Sequence, residues 1–106
     1  MILLHVVSKS EQQALEIAHF LVQEKLIFDA VILRQATVLE RSQDGENLSF
    51  SQQVMLMGKT KALLFLQIDR TLRERYHDTL PVIYAVPIAG MDWEQADRLI
   101  SGTAKI

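Results

Sequence analysis

Residues 28–58 read FDAVILRQATVLERSQDGENLSFSQQVMLMG, and this stretch decides the fold. From Phe28 to Arg41 there is neither Gly nor Pro, and Val31, Ile32, Leu33, Thr37, Val38 and Leu39 supply the branched side chains that favour extended backbone. Asp44-Gly45 follows as a turn signal, because glycine tolerates the positive φ needed where a hairpin reverses. Past it, Leu48, Phe50, Val54 and Leu56 fall on alternate positions with Ser49, Ser51 and Gln53 between them. That is the period-two pattern of a half-buried strand, running as far as Gly58. A strand of about 14 residues rising roughly 3.3 Å per residue would span about 45 Å. A domain of this size has a radius of gyration of only about 13 Å. The tip, from about Val38 to Phe50, is therefore expected to overhang its sheet and expose Leu39, Leu48 and Phe50. Bare strand edges invite pairing with other chains, so the length and apolar content of this hairpin predict an oligomer.

Outward from the hairpin the elements alternate. Ile2 to Val7 is a nearly continuous apolar run, as in a central strand. Ser8 or Ser10 offers a helix cap, after which Ala14, Leu15, Ala18, Leu21 and Val22 recur at helical spacing and predict an amphipathic helix ending near Lys25. Beyond Lys59-Thr60 a second helix places Leu64, Phe65, Ile68, Leu72 and Tyr76 on one side. Pro81 then opens a strand from Val82 to Ile88, Asp92 caps a short helix carrying Trp93, Ala96, Leu99 and Ile100, and residues 103–106 are expected to fray. The order predicts an α+β fold: a ferredoxin-like βαββαβ unit with an extended hairpin and a C-terminal helix, one domain over residues 1–106.

Composition narrows the function. The chain has 106 residues, 49% of them hydrophobic, enough for one core. Its 11 basic and 13 acidic residues give a formal charge of −2 without a block of either sign, so neither a nucleic-acid footprint nor a polybasic membrane patch is present. No apolar run approaches the roughly 20 residues of a membrane helix. Met1 to Ser8 is too short for a signal h-region and reads as a strand. With no cysteine, a disulfide framework, a thiolate metal site and a cysteine nucleophile are excluded, and the expected compartment is the cytoplasm. Neither a nucleophile elbow nor a phosphate-binding glycine loop nor a zinc-protease motif occurs, so a binding role is expected in place of an enzymatic one.

Three ordered motifs carry a family resemblance: Glu24-Lys25-Leu26 before the long strand, Val54-Met55-Leu56-Met57 followed by Lys59-Thr60, and Pro81, Ile83, Ala85, Pro87 and Ile88 in the last strand. Together they resemble the CutA divalent-ion-tolerance family, whose fold is akin to that of PII signalling proteins. The resemblance implies a homotrimer in which the hairpin packs into neighbouring subunits, with clefts between subunits that take up a divalent metal ion such as copper, or a small ligand. The departures are local. Ile27, Phe28 and Asp29 stand where the family has A-A-C, Leu39-Glu40-Arg41 replaces an aromatic cluster, Tyr76-His77-Asp78 replaces H-P-Y, and Val82 replaces an acidic residue. An alternative is a PII-like signalling or scaffold protein acting through protein contacts without metal.

Asp29, Lys59 and Tyr76 are the candidate cleft residues, and His77 with Asp78 the candidate metal ligands. An imidazole beside a carboxylate can bind a metal or move a proton, against which stands the plainer reading of a helix-to-strand loop. Lys59 either holds an anion or pairs with Asp29, whose strand should lie close to it. His5, inside an apolar strand, reads as a satisfied core histidine and His19 as an exposed helix residue. Met55 and Met57 share a strand face and are soft enough for copper(I). With no third soft ligand evident in sequence, they read as core packing. Trp93 reads as a hydrophobic anchor.

Overall fold

A computed structural model describes residues 1–106. Strand β1 (Ile2–Ser8) leads into helix α1 (Glu11–Gln23), and strands β2 (Val31–Arg41) and β3 (Leu48–Thr60) form the hairpin. A 3-10 turn (Ala62–Leu64) precedes helix α2 (Phe65–Arg75), followed by strand β4 (Val82–Pro87) and helix α3 (Trp93–Gly102). The sheet order is β2-β3-β1-β4 and every pairing is antiparallel, which is the ferredoxin-like arrangement expected from the element order.

Helices α1 and α2 pack on one face of the sheet. Ile17, Ala18 and Leu21 of the first and Ile68 and Leu72 of the second meet Leu4, Val6 and Leu56 from the strands in a single buried cluster. The opposite face keeps Val31, Leu33, Val82, Tyr84 and Val86 between 42% and 58% exposed.

Both predicted caps form. The Ser10 hydroxyl accepts from the Gln13 N–H at 3.2 Å and the Asp92 carboxylate from the Gln95 N–H at 3.1 Å. Helix α1 stops two residues short of Lys25 for a definite reason. Lys25 has φ 59°, its N–H reaches the Val22 carbonyl at 3.0 Å, and the Leu26 N–H reaches back to Leu21 at 2.9 Å. This is a Schellman closure with lysine in the place usually held by glycine, and the buried side chains of Leu21 and Leu26 seal it.

The chain then crosses to β3 before it becomes a strand, so β2 begins at Val31 and not at Phe28. The Phe28 N–H donates to the Lys59 carbonyl at 2.7 Å and the Thr60 hydroxyl to the Leu26 carbonyl at 2.6 Å. This crossing is tight: a Cβ on Gly58 would lie 2.7 Å from the Asp29 carbonyl oxygen and 2.7 Å from Ile27 Cδ1. A bulge between Leu33 and Ala36 adds a residue to β2 and bends the hairpin, and Arg34 at that bulge pairs with Glu11 at the start of α1.

β1 pairs with β3 only from Val54 to Thr60, so Leu48 to Gln53 are held by β2 alone. The hairpin outruns the sheet as expected, stretching the molecule to 48 × 29 × 20 Å with a radius of gyration of 14.8 Å. Leu39, Leu48 and Phe50 are 53%, 63% and 73% exposed there. Of the tail expected to fray, Thr103 and Ala104 are instead docked, and only Lys105 and Ile106 stay exposed. Thr103 is buried, the Ala104 N–H donates to the Lys25 carbonyl at 2.7 Å, and the Lys61 ammonium donates to the Ala104 carbonyl at 2.9 Å. The tail thereby satisfies a carbonyl that the left-handed Lys25 turn leaves open.

Candidate functional site

A groove of about 700 Å³ opens where β1 runs into α1, beneath the loop between α2 and β4 and beside the root of the hairpin. Its polar lining comes from several elements. The Gln13 amide donates to the Thr79 carbonyl at 2.7 Å and its oxygen accepts from the buried Ser8 hydroxyl, tying α1 to the 76–81 loop. The Tyr76 hydroxyl donates to Glu16 at 3.3 Å. Burial foremost, and then the Glu16 carboxylate, push the Tyr76 phenol above its ordinary pKa of 10. From the hairpin come Glu40 and the buried Gln53, whose amide donates to the Ser51 hydroxyl at 2.8 Å. Asp78 lies on the rim.

The predicted site residues divide into two groups. Tyr76 and Asp78 line the groove, and the His77 Nδ1 lies 3.2 Å from the Asp78 carboxylate. Both of these side chains face solvent, at 88% and 95% exposure. Asp29 and Lys59 are joined to each other: the ammonium pairs with one carboxylate oxygen while the Lys59 N–H donates to the other at 3.2 Å. Of the two readings of Lys59, the structure shows the ion pair. That pair lies at the far end of the sheet, because Lys59 is opposite Leu3 whereas the groove starts at Val7 and Gln53. One chain therefore does not bring Asp29 and Lys59 to Tyr76, and no three His, Asp or Glu side chains gather to hold a metal ion.

The groove residues Gln13, Glu16, Glu40 and Gln53, and Ser8 that bonds to Gln13 behind them, were not marked as site residues by sequence reasoning. The available signals were a serine closing an apolar strand and a glutamine within an alternating one. His19 is exposed and bonded to Gln23 at 3.0 Å, as expected. His5 departs from expectation: its Nδ1 is buried without a hydrogen-bond partner. The ring instead stacks on Tyr84 at 4.9 Å between centroids and an interplanar angle of 17°.

The family model of the CutA1 divalent ion tolerance protein matches residues 2–97. The chain belongs to the CutA1 family. Among solved structures it resembles the divalent cation tolerance protein Cut A1 of Thermus thermophilus, at 30% identity and TM-score 0.86, covering 98% of this chain and 100% of that one. CutA1 of Oryza sativa superposes with TM-score 0.88 at 18% identity, covering 99% and 94% of the two chains. A structure described as the periplasmic divalent cation tolerance protein CutA of Archaeoglobus fulgidus gives TM-score 0.83 at 19% identity over 96% and 98%. At these lower identities the likeness is one of fold. A search of curated protein sequences finds no match. Within the CutA1 fold the motif residues now have physical roles: Lys25 and Leu26 close α1, and Lys59 and Thr60 clamp the crossing that follows.

Proposed function

We propose that this CutA1 protein acts in divalent ion tolerance as a homotrimer whose clefts between subunits bind an ion or a small ligand. The observation that carries this reading is the apolar stripe of β3. By strand alternation Leu48 and Phe50 share a face with Val54 and Leu56, which are buried under the helices. The same stripe continues bare where the hairpin outruns the sheet, near the Glu40 and Gln53 wall of the polar groove. Burying it against other copies removes apolar surface from water. In this reading Tyr76, His77 and Asp78 of one subunit face Asp29 and Lys59 of the next, which one chain holds apart. The role is one of binding, not catalysis, and the cytoplasm is its expected compartment.

Light scattering should give the mass of three chains. Calorimetric titration with copper(II) and zinc(II) should saturate at one ion per cleft and weaken on His77→Ala. An intact trimer that takes up neither ion would remove the metal part of the proposal and leave a small ligand. A trimer that leaves the Ser42–Asn47 tip free, and takes up no ligand, would favour the scaffold reading.

A further inference from the structure

The open sheet face holds a second arrangement, which shares Val7 and Val82 with the groove wall but takes its ligands from residues outside the groove lining. β1 is flanked on both sides, so its central residue, His5, stands in the middle of the sheet. The register sets His5 opposite Met57 on β3 and opposite Tyr84 on β4. Met55, paired with Val7, is its diagonal neighbour on the same face. Tertiary pairing thus supplies a third donor beside the two thioethers, an imidazole nitrogen of the kind that also suits copper.

We propose that His5, Met57 and Met55 form a binding site for a soft monovalent ion, copper(I) or its analogue silver(I). The imidazole Nδ1 is shielded from solvent and has no partner. Buried polar atoms are so regularly satisfied that an orphan calls for an explanation, a missing ion among them. With the proton on Nε2, Nδ1 carries a free lone pair. Tyr84 stacks against one side of the ring and holds its orientation. Directly opposed residues have Cβ atoms about 4.5–5.5 Å apart and diagonal neighbours about 7–8 Å. For scale, the d¹⁰ ion zinc(II) is bound by imidazole nitrogen at roughly 2.0 Å and by thiolate sulfur at roughly 2.3 Å. Methionine, with its unbranched flexible chain, can close that gap.

The ligand set chooses the ion. Two thioethers and a neutral imidazole bring no charge, and the surrounding face is formed by Leu3, Val7, Val31, Leu33 and Val82. A hard divalent ion would be left without oxygen ligands, whereas thioethers select copper(I). Lys59, opposite Leu3 on the same face, is already paired with Asp29. All three ligands come from one chain, so the site does not depend on the trimer. If the trimer covers this face, the ion is enclosed between subunits.

The test uses protein carrying ¹³C-methyl methionine, which has four such residues. Addition of silver(I), both to the purified protein and during refolding, should move two methyl resonances at one ion per chain. Met55→Leu and Met57→Leu should assign those two to Met55 and Met57. Copper(I) affinity, read by competition with a chromogenic chelator under anaerobic conditions, should fall at least tenfold in Met57→Leu and in His5→Phe. Movement of Met1 or Met91 alone would overturn the proposal. So would unchanged affinity in the Met55→Leu, Met57→Leu double variant, or absence of binding in both preparations. A failed divalent-ion titration at the groove leaves this result untouched, so the two proposals fail separately.

Discussion

At Gly58 a single hydrogen atom in place of a side chain lets two segments cross. A methyl group there would press on the Asp29 carbonyl and on Ile27, both within 2.7 Å. Backbone and a buried branched side chain cannot both yield, so Gly58→Ala should cost about 2–3 kcal/mol, the upper part of the overpacking range, measured by urea denaturation. Lys25 presents the opposite case. Its φ of 59° lies in the left-handed region, which costs an L residue energy through its Cβ and costs achiral glycine nothing of the kind. Lys25→Gly should therefore stabilise the fold by about 0.5 kcal/mol, the relief of strain being partly offset by the greater entropy of glycine in the unfolded chain. Tyr76 carries a pH signature. Its phenol is raised in the folded state, so the folded protein holds that proton more tightly than the unfolded chain does. The stabilisation is complete below the ordinary pKa of 10 and is lost as the pH rises through the higher folded value. Comparison of the wild type with Tyr76→Phe in urea melts at pH 9 and pH 11 should show a steeper alkaline loss in the wild type.

The hairpin is the element on which the proposed assembly turns. Leu48 and Phe50 are exposed in the single chain, and neither belongs to the buried cluster. Leu48→Asp or Phe50→Asp should therefore leave each subunit folded by circular dichroism while lowering the mass seen by light scattering, because an unpaired charge would have to be buried between subunits. A mass unchanged by both variants would refute this interface. At the tip, Asp44 accepts from the Ser42 hydroxyl and from the Glu46 N–H at 2.9 Å, bonds that hold its carboxyl below the usual carboxylate range. Its support for the turn is present above the ordinary carboxylate pKa and disappears as the pH falls through the lower folded value. Amide exchange at Gly45 and Glu46 should accelerate over that acid interval.

At the scale of the whole molecule, a trimer makes stability depend on concentration, because association draws the folded state forward by mass action. The melting temperature should rise with protein concentration in the wild type and become independent of it in Phe50→Asp. A concentration-independent melt in the wild type would mean that the single chain carries its own stability and that the hairpin serves another partner.

The element order, the overhanging hairpin, the two helix caps and the nearness of Asp29 to Lys59 were legible in the residues. Each follows from information local in sequence: side-chain period, turn and capping chemistry, and the rise of a strand per residue. Sequence alone did not reveal that α1 ends in a left-handed lysine or that Thr103 and Ala104 dock beside that turn. These features depend on hydrogen bonds between segments far apart in the chain, such as Ala104 to Lys25. The groove was hidden for the same reason, since Gln13, Tyr76 and Gln53 become neighbours only after the sheet has formed. So was the separation of Lys59 from Tyr76. The sequence by itself determined which segments become strands and helices. Tertiary structure decided which side chains meet, because strand register, not spacing along the chain, places His5 beside Met57 and Lys59 at the other end of the sheet from the groove.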